Sequence, residues 1–235
     1  MNRVATLLMR CATSSGGKQS KDLLECASVL ERAGVHTLEE LAAAATSVGS
    51  EPRTRGWACW AIGQLRLRNR VDTLLLALRN DPDTTVVWEA AKALSLMPSR
   101  NVGENLKIVL CETLDSERRT ATIWSIGASQ YRPAIPELSS ILTALDEPVS
   151  VRAHAAEALG VIGDRRASGA LLDVLDDSSP DVRFWATYAL GELREQRAVP
   201  ALKRLACSDN TGPTGWWPVK EEAANALAKI RSERR

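Results

Sequence analysis

A ten-residue segment returns along this chain every 31 to 37 residues, and no other feature limits the fold so tightly. Its clearest copies are Val151-Arg152-Ala153-His154-Ala155-Ala156-Glu157-Ala158-Leu159-Gly160 and Val182-Arg183-Phe184-Trp185-Ala186-Thr187-Tyr188-Ala189-Leu190-Gly191. Six copies align on Arg55, Val87, Arg119, Arg152, Arg183 and Lys220, at spacings of 32, 32, 33, 31 and 37. Self-similarity at such a period marks a repeat array, in which each unit buries its apolar face against its neighbours.

Within a copy the apolar spacing is helical. Ala90, Ala93, Leu94 and Met97 fall at i, i+3, i+4 and i+7, as do Ala58, Ala61, Ile62 and Leu65, and Ala186, Ala189, Leu190 and Leu193. Gly63, Gly127, Gly160 and Gly191 thin the same helix and predict close stacking. A second apolar helix lies between copies, as at 167–175 and 198–205, after breaks such as Gly163-Asp164-Arg165-Arg166. The break Asp176-Asp177-Ser178-Ser179-Pro180-Asp181 is expected to cap the next copy. Each repeat thus reads as an antiparallel helix pair. Upstream, 21–33 and 37–46 read as further helices around a Ser14-Ser15-Gly16-Gly17 loop. The expected organisation is one continuous domain, with 1–50 as an N-terminal cap, 51–235 as the array, and an insertion at 208–218.

The stretch 150–177 carries Val-Arg-x-x-Ala-Ala-x-Ala-Leu-Gly-x-Ile-Gly-Asp-x-Arg-Ala, followed by Ala170-Leu171-Leu172 and Leu175-Asp176. It resembles the HEAT-like repeats of the phycobilisome-lyase type, most closely over 147–207. Val87 stands where that family has Arg, and Arg118 where it has Val. The resemblance implies an all-α fold, a right-handed α-solenoid of antiparallel helix pairs, with the second helix of each pair lining a concave surface. It also implies that the recurring Arg forms an internal ladder with acids of the turns, here Asp115, Asp146 and Asp177.

At 100° per residue, positions 56, 57, 60 and 64 point away from the core stripe. Polar residues are expected there, yet these columns hold Trp57, Trp60, Trp88, Trp124, Phe184, Trp185 and Tyr188, seven of the chain's ten aromatics. Concentrated apolar rings on an outer face mark an interaction surface, or rings buried by the chain itself or by a homo-oligomer. The same columns hold Glu89, His154, Glu157, Glu192, Glu221 and Glu222 against Lys92 and Lys229. An aromatic, mildly acidic groove suits a protein or peptide with Arg or Lys side chains. Trp216 and Trp217, in the Gly/Pro-rich insertion, are further contact candidates or a cover for the open end of the array.

The rest of the sequence narrows the alternatives. With 30 basic and 29 acidic residues no global field favours nucleic acid. No apolar run is long enough to span a membrane. The five cysteines lack metal-like spacing and read as small buried residues of a reducing compartment, so the expected location is cytoplasmic. Residues 1–21 lack acids, which leaves an organelle transit peptide as the alternative to a capping helix. His36 and His154 are the only histidines, neither followed by Glu, so no metal site, cofactor or catalytic residue is assigned. The expected function is a non-enzymatic binding scaffold. The rivals are a bilin lyase or chromophore-handling subunit, from the family resemblance, and a HEAT-like DNA glycosylase with Glu157 among Trp rings.

Overall fold

The computed structural model describes residues 3–14, 17–113 and 115–232. They form α-helices and short 3-10 turns throughout, in two compact units divided after Thr113. The first unit holds α1 (Arg3–Ser14), α2 (Gly17–Arg32), α3 (Leu38–Thr46), α4 (Pro52–Gln64), α5 (Val71–Asn80), α6 (Thr84–Ser95) and α7 (Arg100–Glu112). The second holds α8 (Ser116–Ala128), α9 (Ile135–Thr143), α10 (Val149–Ile162), α11 (Ser168–Asp173), α12 (Pro180–Glu192), α13 (Val199–Ser208) and α14 (Val219–Arg231). The six copies are α4, α6, α8, α10, α12 and α14.

In the second unit α8, α10, α12 and α14 lie side by side, with α9, α11 and α13 as an outer row. In the first, α3 and α5 pack on α4 and α6, and α1 packs on α2. The predicted stripe is core: Ala58, Ala61, Ile62, Ala90, Leu94, Ala186, Ala189 and Leu190 are fully buried, and only Leu65 at the end of α4 is half-exposed.

The glycines set how closely these helices approach. A methyl group on Gly63 would stand 2.7 Å from Cα and Cβ of Ala93. Gly127 meets Ala158, Gly160 meets Ala189 and Gly191 meets Ala226, each at 2.9 Å. In every pair the obstacle includes backbone, so a side chain on the glycine would push a whole helix outward.

The arginine column is internal, as the resemblance implied, though not all its partners are those expected. Arg55 grips Asp81 through Nε and Nη2 at 2.6 and 2.9 Å, and both residues are buried. Arg152 binds Asp177 and donates to the Leu142 carbonyl. Arg183 binds Asp209 at 2.7 Å and the Asp177 carbonyl. Arg119 pairs with Glu147 at 2.5 Å, while Asp146 beside it is exposed. Asp115 caps α8 by accepting from the Arg118 amide, and Val87, in the arginine's place one copy earlier, is buried. The capping expected of the 176–181 break also differs. Ser179 makes no side-chain cap; Pro180 opens α12, and Asp177 accepts from the Ser179 amide. Of the five cysteines only Cys26 and Cys59 are buried, and burial pushes the Cys59 thiol up to about 12; Cys111 and Cys207 are exposed.

Copies one, three and five place Arg66, Gln130 and Arg194 at φ near 50°, where the fourth has Gly163 at 68°. The backbone reversal after these four inner helices is therefore kept where only one copy supplies the residue that adopts it freely.

The glycine contacts predict opposite outcomes for one substitution at two sites. Gly160→Ala should destabilise by about 1–2 kcal/mol, because overpacking against Ala189 outweighs the gain in helix propensity. Gly169→Ala on α11, where nothing lies within 4 Å of the new methyl, should stabilise by about 0.5–1 kcal/mol. Urea denaturation of both variants checks the pair.

Candidate partner-binding site

Numbered from the recurring arginine, positions two and five emerge on the face opposite the outer row in α4, α6, α10 and α12, whereas position two is buried as Ala121 on α8 and Glu222 on α14. In the second unit they carry His154 and Glu157 on α10 and Trp185 and Tyr188 on α12, all half-buried; Trp124 of α8 is half-buried as well. Tyr188 lies across the glycine gap, its Cε1 3.3 Å from where a Gly160 methyl would stand. His154 Nδ1 lies 2.8 Å from the Ser150 carbonyl oxygen, one turn back.

Phe184 does not belong to this face. It sits one position after the arginine and is 1% exposed. Of its counterparts, Gly56, Thr120 and Ala153 are buried, where this column points along the row at the next helix, whereas Trp88 of α6 is half-buried and Glu221 of α14 is exposed. A methyl on Gly56, for instance, would touch Glu89 of α6. After α12 the insertion comes next, and Phe184 is sealed by its tryptophans. The Trp216 and Trp217 rings lie 5.7 and 6.0 Å from Phe184, and Trp216 stands edge-on to Trp185 at 5.2 Å.

The insertion is held at its base. The Val219 amide donates to the Thr211 carbonyl at 2.7 Å and the Lys220 amide to that of Asp209 at 2.9 Å. Arg183 binds the Thr211 hydroxyl, also at 2.7 Å, and Gly212 lies against the Trp217 carbonyl where no side chain would fit. Trp217 Nε1 donates to Glu222 Oε2 at 2.9 Å. Both rings nonetheless stay open to solvent, Trp216 at 50% and Trp217 at 41%. The loop thus covers Phe184 and still presents aromatic surface.

Carboxylates gather on this corner. Burial raises the affinity of Glu157 and Glu222 for their protons, partly offset at Glu222 by Trp217, Lys229 and Asn225. Glu222 is 2% exposed, so that column of α14 is closed, unlike its equivalents on α10 and α12. Glu192 binds Lys229 at 2.5 Å, and the Lys229 ammonium stands 5.1 Å from the Tyr188 ring centroid. Sequence reasoning placed Glu192 and Lys229 in the columns but did not pair them. The clue was their separation of 37, the length of the last repeat interval.

The first unit carries its own aromatic group. Trp57 and Trp60 of α4 meet edge to face at 5.2 Å, both half-buried, and Cys26 of α2 donates to the Trp57 carbonyl at 3.5 Å. On α6, Trp88 and Glu89 are half-buried, and Glu89 binds Lys92 at 2.9 Å. Among the described residues no group of three potential metal ligands comes together, and no helix is long and apolar enough to cross a membrane.

Glu222 gives a pH signature. Its proton affinity is raised in the folded chain, so the folded state holds more protons than the unfolded one above the ordinary carboxylate range. Stability is therefore lost as pH rises through that window. Glu222→Gln keeps an acceptor for Trp217 and removes the charge. Melting temperatures of the variant and the wild type should lie closest near pH 4, with the variant gaining on the wild type as pH rises to 7.

The comparisons with known proteins agree with this architecture. A stretch of 60 residues is 42% identical to protein YibA of Escherichia coli (strain K12), spanning 26% of this chain and 21% of YibA. The complex of CpcE and CpcF of phycocyanin lyase from Nostoc sp. PCC7120 is similar in fold, with a TM-score of 0.55 at 21% identity over 69% of this chain and 98% of the matched one. An engineered protein aligns over 99% of this chain at 19% identity and a TM-score of 0.49. The family model of HEAT repeats matches residues 38–127 and 135–215. With its paired helices, stacked glycines and recurring arginine, the chain belongs to the HEAT-repeat family.

Proposed function

We propose that this chain is a non-enzymatic recognition scaffold that binds a protein or peptide carrying basic side chains. The observation that carries the reading is that each unit holds half-exposed rings at positions two and five, Trp57 and Trp60 in the first and Trp124, Trp185 and Tyr188 in the second, where Trp216 stands against Trp185. Large amphipathic rings held in place by a rigid helix are the usual anchors of interfaces, since they bury much area with little loss of rotamer freedom. Carboxylates outnumber ammonium groups around Tyr188, which favours a cationic partner over a phosphate backbone. HEAT-repeat membership supplies the scaffold, and the rings supply the specificity.

Selection from a random dodecapeptide library tests the reading. Peptides with Lys or Arg near an apolar residue should be enriched on the wild type. Enrichment should fall at least about tenfold when Trp60→Ala and Trp124→Ala are combined, a loss typical of interface anchors, while helical circular dichroism is kept. Enrichment of acidic or wholly apolar peptides, or no change in the double variant, would defeat the proposal. A visible absorbance band on adding a linear tetrapyrrole would move the reading to pigment handling.

A further inference from the structure

The Tyr188 ring already carries a cation. Lys229 reaches across from α14 to stand over it and to bind Glu192, and neither partner of that ion pair is sequestered, with side chains 40% and 38% exposed. Three carboxylates, Glu157, Glu192 and Glu222, act on Tyr188, and Lys229 is the ammonium set against them. Glu222 is committed to Trp217, whereas the neighbour that acts on Glu157 is His154 on the same helix. Trp185 closes the corner, its ring 5.6 Å from Tyr188 and edge-on to it.

This arrangement is a seat for a cation, occupied by the chain's own side chain. An exposed ion pair and an exposed cation–π contact are each weak, so Lys229 holds the position mainly because it is tethered nearby. A guanidinium has two advantages there. Its planar fork can take both oxygens of Glu192 while its face lies on an aromatic ring, and it sheds water more readily than an ammonium.

We propose that Tyr188 and Glu192, flanked by Trp185 and Glu157, form a recognition site for an arginine side chain of a protein partner, and that Lys229 holds this site in the free chain until the guanidinium displaces it. The proposal rests on the partner-binding reading above and names the side chain read at one corner of the second unit.

Titration of the 15N-labelled full chain with N-acetyl-arginine N-methylamide, followed at the indole Nε1–H signals of Trp185 and Trp216, tests it. Removing the competitor by Lys229→Met should tighten binding about five-fold, the scale of one weak exposed contact. Glu192→Gln, at an exposed position that does not threaten folding, should abolish it, and Tyr188→Phe should retain it. N-acetyl-lysine N-methylamide should bind several-fold more weakly than the arginine compound. Equal affinity in wild type and Lys229→Met, binding that survives Glu192→Gln, or no shift in any variant would overturn the assignment. A peptide library that still selects basic sequences alongside such a result would sink this site alone; a library that selects none would sink the wider reading.

Discussion

In each unit, the face opposite the outer row depends on the contact between a glycine of one inner helix and an alanine of the next. Backbone meets side-chain stub at under 3 Å from the missing methyl, in four separate pairs, so neighbouring helices are about as close as helices can lie. That proximity decides what the other columns can hold. Position one holds Gly56, Thr120 or Ala153 where it points along the row, a half-buried Trp88 on α6, and Phe184 beneath the tryptophans of the insertion. Positions two and five are lifted clear of the row, which is why large rings fit there and lie across the glycine of the preceding helix, as Tyr188 does over Gly160.

The arginine ladder does a different job. Charges buried as thoroughly as Arg55 and Asp81 give back in mutual attraction roughly what their desolvation costs, so they are a weak source of net stability. Removing one partner would nevertheless strand the other, and this penalises any packing in which a helix pair slips against the next turn. The rung from Arg183 shows the device extended. It binds Asp209, whose carboxyl is held low by Arg183 and Thr211 against the opposing effect of burial, and it also reaches the Thr211 hydroxyl and the Asp177 carbonyl. The same side chain that elsewhere fixes helix register here fixes the root of the tryptophan loop.

The helices, their core stripe and the glycine stacking were legible in the sequence because each is a signal that recurs at a fixed period, the glycine in four of the six copies. Individual departures were not. Helical-wheel geometry separates core from non-core, but it cannot tell solvent from a neighbouring repeat, and Phe184 and Glu222 fell on the wrong side of that distinction. The acid that answers each arginine was similarly out of reach, since Asp146 and Glu147 are adjacent in a turn and only the backbone path chooses between them. The pairing of Lys229 with Glu192 was hidden for a related reason: a contact between equivalent positions of successive copies spans a whole repeat, and the last interval is longer than the others.

The tryptophan loop bears on whether the aromatic face is merely self-buried. Sealing Phe184 accounts for part of Trp216 and Trp217, and the hydrogen bond to Glu222 accounts for the polar edge of Trp217. Neither requirement explains why Trp216 should also stand edge-on to Trp185 with half its surface open. A loop selected only to close the end of the row could have covered Phe184 with smaller aliphatic side chains, at less exposure of apolar area. The insertion instead extends the aromatic surface of α12 beyond the helix while holding it on a root fixed by Arg183, and for the proposed partner such a root would lower the ordering entropy to be overcome on binding.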